Sequence, residues 1–144
     1  MIPDRASVVR YRLERAQESL AEAHLLLDAG HTNTFVNRLY YACFYAASAA
    51  LLAKDKVATS HGRLRSLVHQ HLVKPGLLSV DMGRFYDTLF DNRQKGDYAD
   101  FVRFDAHEVQ GWFERATELV QHLRAVAEEL LTSEPQPPAP TPDP

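Results

Sequence analysis

Two polar segments of this 144-residue chain carry the side chains whose types and spacing could do chemistry. The first lies in the run TFVNRLYYACFYAASAALL at residues 34–52, where Asn37 and Arg38 interrupt an apolar pattern and Tyr41 follows one turn later. A helix that is apolar around most of its circumference is normally buried. A buried arginine is costly unless a carboxylate and further acceptors surround it. Arg38 therefore predicts an ionic pocket within the protein.

The second polar segment, DNRQKGDYADF at residues 91–101, offers the partners for that pocket. It contains Arg93, Asp97 and Tyr98 after a helical pattern, and Asp97 is the expected partner of Arg38. A structural salt bridge between Arg38 and Asp97, with Tyr98 as a hydrogen-bond partner, explains the same residues without a ligand. Arg93 is the residue most readily assigned a function, and a structural clamp on a carboxylate is its alternative.

The seven histidines do not form a recognisable metal motif. His69 and His71 are two residues apart, so they would point to different sides of a helix, and the sequence has no HExxH or Cys/His pairing. We expect neither a metal ion nor another cofactor. His61 lies just inside a helix start, where a capping contact or a neutral imidazole is the default interpretation and ligand binding is the alternative.

Positive charges also gather near the third predicted helix, at Lys54, Lys56, Arg63 and Arg65. Such a patch could contact RNA phosphates. A solvated helix face explains the same charges and is the favoured interpretation.

Composition limits the class of protein. The chain is 45% hydrophobic and 24% charged with a net charge of -3, which predicts one domain with a substantial core and no general affinity for nucleic acid or membrane surfaces. The single cysteine, Cys43, cannot form an intrachain disulfide, which favours a reducing, cytoplasmic location. The apolar run at 39–53 is shorter than the roughly 20 residues that a membrane-spanning helix needs.

Apolar residues recur at steps of three and four along the chain, and no alternating strand pattern is present. This periodicity predicts an all-α fold, an up-and-down antiparallel bundle of four to five helices over residues 1–131. The remaining residues, 132–144, read TSEPQPPAPTPDP and are expected to form a proline-rich, disordered tail.

Capping residues predict where the helices begin. Thr32 or Asn33 can cap the second helix, and Ser60 can cap the third. Asp105, with Glu108 three residues later, resembles a capping box and predicts the start of the last helix.

These residues, in this order, resemble the HEPN domain family, in particular its small stand-alone prokaryotic members. The features that carry the resemblance are the NRLYYACFYAASAALL helix at 37–52, the Ser-His-Gly start of the third helix at 60–62, and VKPGLLSVDMGRFYDTLFDNRQKGDY at 73–98. The resemblance implies a bundle that forms a homodimer through its central helices. It also implies an encoded neighbour, a minimal nucleotidyltransferase, as partner.

Many members of this family are metal-independent RNases in which an arginine is followed after four to six residues by a histidine. Arg93 matches that arginine, but Tyr98 stands five residues later and no histidine occurs between Arg93 and Arg103. Tyrosine, with an ordinary pKa of about 10, is a poor proton acceptor at neutral pH. The sequence therefore retains the phosphate-binding half of that mechanism at the motif and lacks its proton-transfer half.

The leading hypothesis is a module that binds a nucleotide, RNA or a minimal nucleotidyltransferase, in a toxin–antitoxin-like or stress and defence system. In this hypothesis Arg38 and Arg93 grip a phosphate or a partner carboxylate, Asp97 orients a guanidinium, and Tyr98 donates a hydrogen bond. The other predicted ligand-binding residues are Asn37, Tyr41 and His61.

The alternative is a metal-independent RNase toxin in which Arg93 is catalytic. The base would then be His61 or a histidine of a second subunit. A third hypothesis has Tyr98 accept a nucleotidyl group from the partner.

Overall fold

The computed structural model describes residues 3–98 and 102–133, together with residues 140 and 142. Within these residues the chain forms five α-helices and no β-strand: α1 (Arg5–Asp28), α2 (Thr32–Ala53), α3 (His61–Val68), α4 (Val80–Tyr98) and α5 (Trp112–Ser133). A π-helical turn, His69–Val73, continues α3. The predicted all-α bundle is confirmed. The predicted tail, 132–144, lies mostly outside the described residues.

The second helix, α2, is central to the bundle, because it packs along α1 and also against α4 and α5. Its C-terminal half is rich in fully buried alanines, at positions 46, 47, 49 and 50. Side chains this small let the backbones of neighbouring helices approach closely. Larger buried residues, Phe35, Leu39 and Tyr40, fill the space around its N-terminal half. None of the described helices is long and apolar enough to cross a membrane.

One face of α2 is not covered by the rest of the bundle. Asn37, Arg38, Tyr41, Phe44 and Tyr45 are all half-buried, and their spacing of three and four residues places them along one side of the helix. We call this row the α2 stripe. The prediction that Arg38 is fully buried is wrong, since its side chain is 28% exposed. The polar residues of α2 belong to this uncovered face, which neighbouring helices only flank.

The first turn of α2 anchors the connection between α4 and α5. The predicted caps are wrong, because Thr32 is already helical and the residue before it, His31, makes no side-chain capping bond. Instead, the Asn33 amide nitrogen donates to the carbonyl of Val102 at 2.9 Å and its amide oxygen accepts the N–H of Phe104 at 2.9 Å. These bonds hold the connection that follows α4 against the start of α2.

The last helix begins six residues later than predicted, at Trp112 instead of directly after Asp105. Asp105 accepts the N–H of Glu108 at its carbonyl, at 3.0 Å, and the N–H of His107 at its carboxylate, at 3.1 Å, so it stabilises a turn. Gly111 then has a φ of +84°, in the left-handed region that glycine tolerates. That conformation breaks helical continuity, and α5 begins at Trp112. Ser60, in contrast, caps α3 as predicted, accepting the N–H of Arg63 at 3.1 Å.

Candidate functional site

Arg93 is the buried cation of the structure's candidate site. It lies near the end of α4, faces α2, and is only 8% exposed. One terminal guanidinium nitrogen donates to the Tyr41 hydroxyl at 3.1 Å. The guanidinium carbon lies 4.9 Å from the centroid of the Tyr40 ring and 5.8 Å from that of Tyr41. The charge is therefore held against two aromatic rings, an arrangement that stabilises a cation without neutralising it.

The hydrogen-bonding capacity of Arg93 is only partly used. Its Nε is buried and has no hydrogen-bond partner. No described carboxylate lies within ion-pairing distance of its guanidinium. Asp97 comes one turn later on the same helix, and the side chains of Asp97 and Tyr98 lie outside the described part of the protein. An anion supplied from outside could accept from the unused N–H groups of Arg93.

Arg38 approaches the same place from α2. Its guanidinium carbon lies 4.9 Å from the centroid of the Tyr41 ring, so both arginines contact that ring. Its Nε and one terminal nitrogen donate to the side-chain oxygen of Asn37 at 3.1 and 2.8 Å. Its described acidic partner is Glu22 of α1, at 3.8 Å, a residue that the sequence did not single out. Glu22 is more than half exposed, so this ion pair contributes little and does not fix Arg38 in place.

His61 joins the site from the start of α3. Its Nδ1 lies 2.7 Å from the hydroxyl oxygen of Tyr40, and its ring packs against Phe44 with centroids 4.7 Å apart. Burial, together with the positive charge of Arg93, lowers the pKa of His61 below its usual value. Burial also raises the pKa of Tyr40 to about 12, so that Tyr40 keeps its proton at neutral pH. His61 is thus a neutral imidazole at neutral pH, as the default interpretation of the sequence expected.

We call the group formed by Arg38, Tyr40, Tyr41, His61 and Arg93 the arginine–tyrosine pocket. Three helices contribute to it, since α2 supplies the tyrosines and Arg38, α3 supplies His61 and α4 supplies Arg93. Two guanidinium groups next to phenol hydroxyls can bind a phosphate, and a neutral imidazole can exchange a proton with a bound ligand. Tyr40 is fully buried, so it belongs both to the pocket and to the hydrophobic core.

Metal chemistry finds no support in the described residues, where no group of three or more histidine, cysteine or acidic side chains could hold an ion. His69 Nε2 lies 2.9 Å from a carboxylate oxygen of Asp87, a hydrogen bond between the π-helical turn and α4. Cys43 is buried, and burial raises the pKa of its thiol well above the usual value.

Comparison with known proteins gives a consistent result. The family model for the HEPN domain matches residues 9–130. A UPF0332 protein of Thermotoga maritima is 33% identical over 127 residues, which cover 88% of this chain and 96% of that protein. A protein of Methanocaldococcus jannaschii with the name "Putative toxin MJ0605" is 26% identical over 119 residues, covering 83% of this chain and 88% of the relative.

Proposed function

This chain belongs to the HEPN domain family, and we propose that its arginine–tyrosine pocket binds a phosphate group of RNA or of a nucleotide. Two relatives carry the name "Putative toxin", which supports a toxin-like role in a toxin–antitoxin or defence system. We also propose that its protein partner is a minimal nucleotidyltransferase.

The observation that carries the proposal is the buried and incompletely bonded guanidinium of Arg93. Removing a cation from water costs several kcal/mol unless an anion and hydrogen bonds replace the hydration. Here the described residues supply one phenol hydroxyl and two ring faces, and they leave the Nε–H without an acceptor. A phosphate oxygen would satisfy that donor and the charge together, because guanidinium and phosphate match in geometry.

The other pocket residues have separate roles in this proposal. Arg38 lies at the half-exposed side of Tyr41 and contacts the incoming phosphate first, while Asn37 orients its guanidinium. Tyr41 holds Arg93, and His61 meets the ligand beside Tyr40.

At the end of α4, Asp97 orients a guanidinium and Tyr98 donates a hydrogen bond to the ligand. These two roles remain predictions from the sequence, because the described part of the protein does not include the two side chains.

Fluorescence anisotropy tests the proposal. A labelled single-stranded RNA and a labelled nucleoside monophosphate are titrated with the wild-type protein, with Arg93→Met and with the matched control Arg84→Met. Arg84 lies on the same helix and is exposed, so the control removes an equal charge outside the pocket. We expect Arg93→Met to weaken binding at least tenfold and Arg84→Met to have little effect. Equal binding by all three proteins would contradict the proposal.

Co-purification tests the partner. A minimal nucleotidyltransferase is expressed together with this chain, and a complex is expected at micromolar concentrations. Intact mass after incubation with that partner and ATP shows whether Tyr98 accepts a nucleotidyl group. Failure to form a complex would contradict the proposed partner. It would not affect the proposal that the pocket binds phosphate, which the anisotropy experiment tests separately.

A second candidate function, a metal-independent RNase, is favoured by the position of His61. Tyr40 links His61 to Arg93, which brings an arginine and a histidine together from different helices although the usual arginine–histidine motif is absent. In this mechanism the ribose 2′-oxygen attacks the adjacent phosphorus, the P–O5′ bond breaks, and the leaving 5′-oxygen takes a proton from water. His61 accepts the 2′-hydroxyl proton, and Arg93 stabilises the negative charge of the pentavalent phosphate.

This mechanism requires one tautomer of His61. Its Nδ1–H must donate to the Tyr40 hydroxyl oxygen, which leaves Nε2 free to accept the proton. His61→Gln should then abolish cleavage of RNA to 2′,3′-cyclic phosphate products, while the exposed control His107→Gln should cleave normally. RNA that stays intact with the wild-type protein would contradict the RNase and leave the binding function as proposed.

The homodimer expected from the sequence is also proposed, with the α2 stripe as its interface. Tyr41, Phe44 and Tyr45 expose aromatic surface there, and Arg15 of α1 lies 5.0 Å from the Tyr45 ring centroid. Analytical ultracentrifugation of Phe44→Glu against wild type tests it. A wild-type monomer at all concentrations would contradict the dimer.

A further inference from the structure

Four basic side chains lie near one another around the connection between α2 and α3. Lys54 follows the last residue of α2, Lys56 lies in the connection, Arg63 is on α3 and His71 is in the π-helical turn. The ammonium group of Lys54 donates to the backbone carbonyl of His71 at 2.8 Å, which fixes its position. We call this group the lysine patch. None of its members belongs to the arginine–tyrosine pocket.

Asp55, the acidic residue nearest to the patch in the sequence, pairs with a residue outside the patch. Asp55 lies between the two lysines, but its carboxylate pairs with Arg5 of α1 at 2.6 Å. Its φ of +67° is in the left-handed region, which aspartate adopts more readily than most residues. Neither Lys54 nor Lys56 forms an ion pair with a carboxylate of the described residues. The turn at Asp55 therefore separates the negative charge from the positive charges on either side of it.

The charges of the patch act on one another. Burial, followed by the positive charges of Lys56, Lys54 and Arg63, lowers the pKa of His71. All three cations thus lie close enough to affect one imidazole, and among the described residues no carboxylate is a cause of the lowered pKa. Like charges held together reduce the stability of the folded protein. The phosphates of a bound polyanion would offset this repulsion.

We propose that the lysine patch is a second RNA-binding surface, which contacts backbone phosphates without reading the bases. The choice of RNA among polyanions rests on the proposed function of the pocket. Arg63 follows His61 by two residues, which on a helix corresponds to a rotation of about 200°. The patch and the pocket therefore lie on different sides of α3, and the patch extends the footprint of a bound strand around that helix.

The salt dependence of RNA binding tests this inference. Each phosphate contact of a single strand contributes about 0.7 to the slope of log Kd against log salt concentration. The triple variant Lys54→Gln, Lys56→Gln, Arg63→Gln should therefore reduce the slope of a labelled 20-nucleotide RNA by about 2. The control, Arg10→Gln, Arg84→Gln, Arg103→Gln, removes the same charge at exposed positions and should leave the slope nearly unchanged.

Each outcome separates this inference from the proposed function. A slope that is equal in the patch variant and in wild type overturns the lysine patch, whatever Arg93→Met does. A reduced slope together with unchanged binding by Arg93→Met supports the patch and overturns the pocket. If the triple variant does not fold, the double variant Lys56→Gln, Arg63→Gln keeps the Lys54 bond to His71 and should reduce the slope by about 1.4.

Discussion

The substitution Arg93→Met distinguishes two roles for this arginine, binding a ligand and stabilising the folded protein. The substitution removes one hydrogen bond to Tyr41 from a charged donor, a loss of about 2 kcal/mol. It also removes contacts with two aromatic rings, a further loss of about 1–2 kcal/mol. Against these losses, several kcal/mol of guanidinium desolvation disappear, since the folded state no longer buries the charge. Without ligand, we expect the free energy of unfolding of the variant to lie within about 1 kcal/mol of the wild-type value.

A different loss of stability is expected if Arg93 instead forms a structural ion pair. If the Asp97 carboxylate neutralises Arg93, the variant leaves a buried carboxylate unpaired and loses about 3–5 kcal/mol. For a chain of this size that loss lowers Tm by roughly 6–20 °C, whereas 1 kcal/mol corresponds to about 2–4 °C. Urea unfolding followed by circular dichroism, and differential scanning calorimetry, distinguish these values. Arg84→Met provides the baseline for losing an exposed arginine from the same helix.

The two arms of the experiment must agree for the reasoning to hold. A near-neutral stability change with at least tenfold weaker RNA or nucleotide binding is the expected result. A loss of 3 kcal/mol or more with unchanged binding would refute the account, because it would show that Arg93 has its anion within the protein. Asp97→Asn in the Arg93→Met background would then restore part of the lost stability.

Three other predictions concern the surroundings of the pocket. Tyr41→Phe removes the acceptor for Arg93 and should lower the unfolding free energy by about 1.5 kcal/mol, so an unchanged urea midpoint would contradict that bond. The lowered pKa of His61 means that the unfolded state binds a proton more readily than the folded state, so wild-type stability should fall as the pH drops below about 6.5. His61→Gln should flatten that fall between pH 7 and pH 5 in thermal denaturation, and an identical slope would count against the shift. Asn33→Ala removes two hydrogen bonds to the connection after α4 and should lower the free energy of unfolding by about 1–3 kcal/mol. The amide hydrogen of Phe104 should then exchange faster than in wild type, and unchanged slow exchange would contradict the anchoring role.

Much of the fold follows from local patterns in the sequence. The helical periodicity and the Ser60 cap depend on neighbouring residues, and they predicted the all-α bundle and the start of α3 correctly. The start of α5 was missed because Asp105 and Glu108 satisfy a local rule that Gly111 overrides. Thr32 and Asn33 were missed as anchors because their partners lie some 70 residues away.

The site was harder to predict, for a related reason. Asn37, Arg38 and Tyr41 could be selected because polar groups in an apolar helix are unusual. Arg93 could be selected from its match to the family motif, and His61 from its place in the Ser-His-Gly start of the third helix. Which of them meet depends on how far each helix is rotated and shifted against its neighbours, and side-chain patterns within a single helix do not contain that information. Glu22, the described partner of Arg38, and Tyr40, the link between His61 and Arg93, both depend on packing between helices.

The Arg93 side chain itself provides the most direct test of the account. Its Nε–H resonance can be assigned by 15N NMR and followed while a nucleoside monophosphate is added, with the Arg84 resonance as internal reference. Because this N–H is buried without an acceptor in the free protein, we expect its resonance to start at the position of an unbonded arginine and to shift as the ligand saturates the pocket. An Nε–H resonance that does not move during the titration would contradict the proposed phosphate binding.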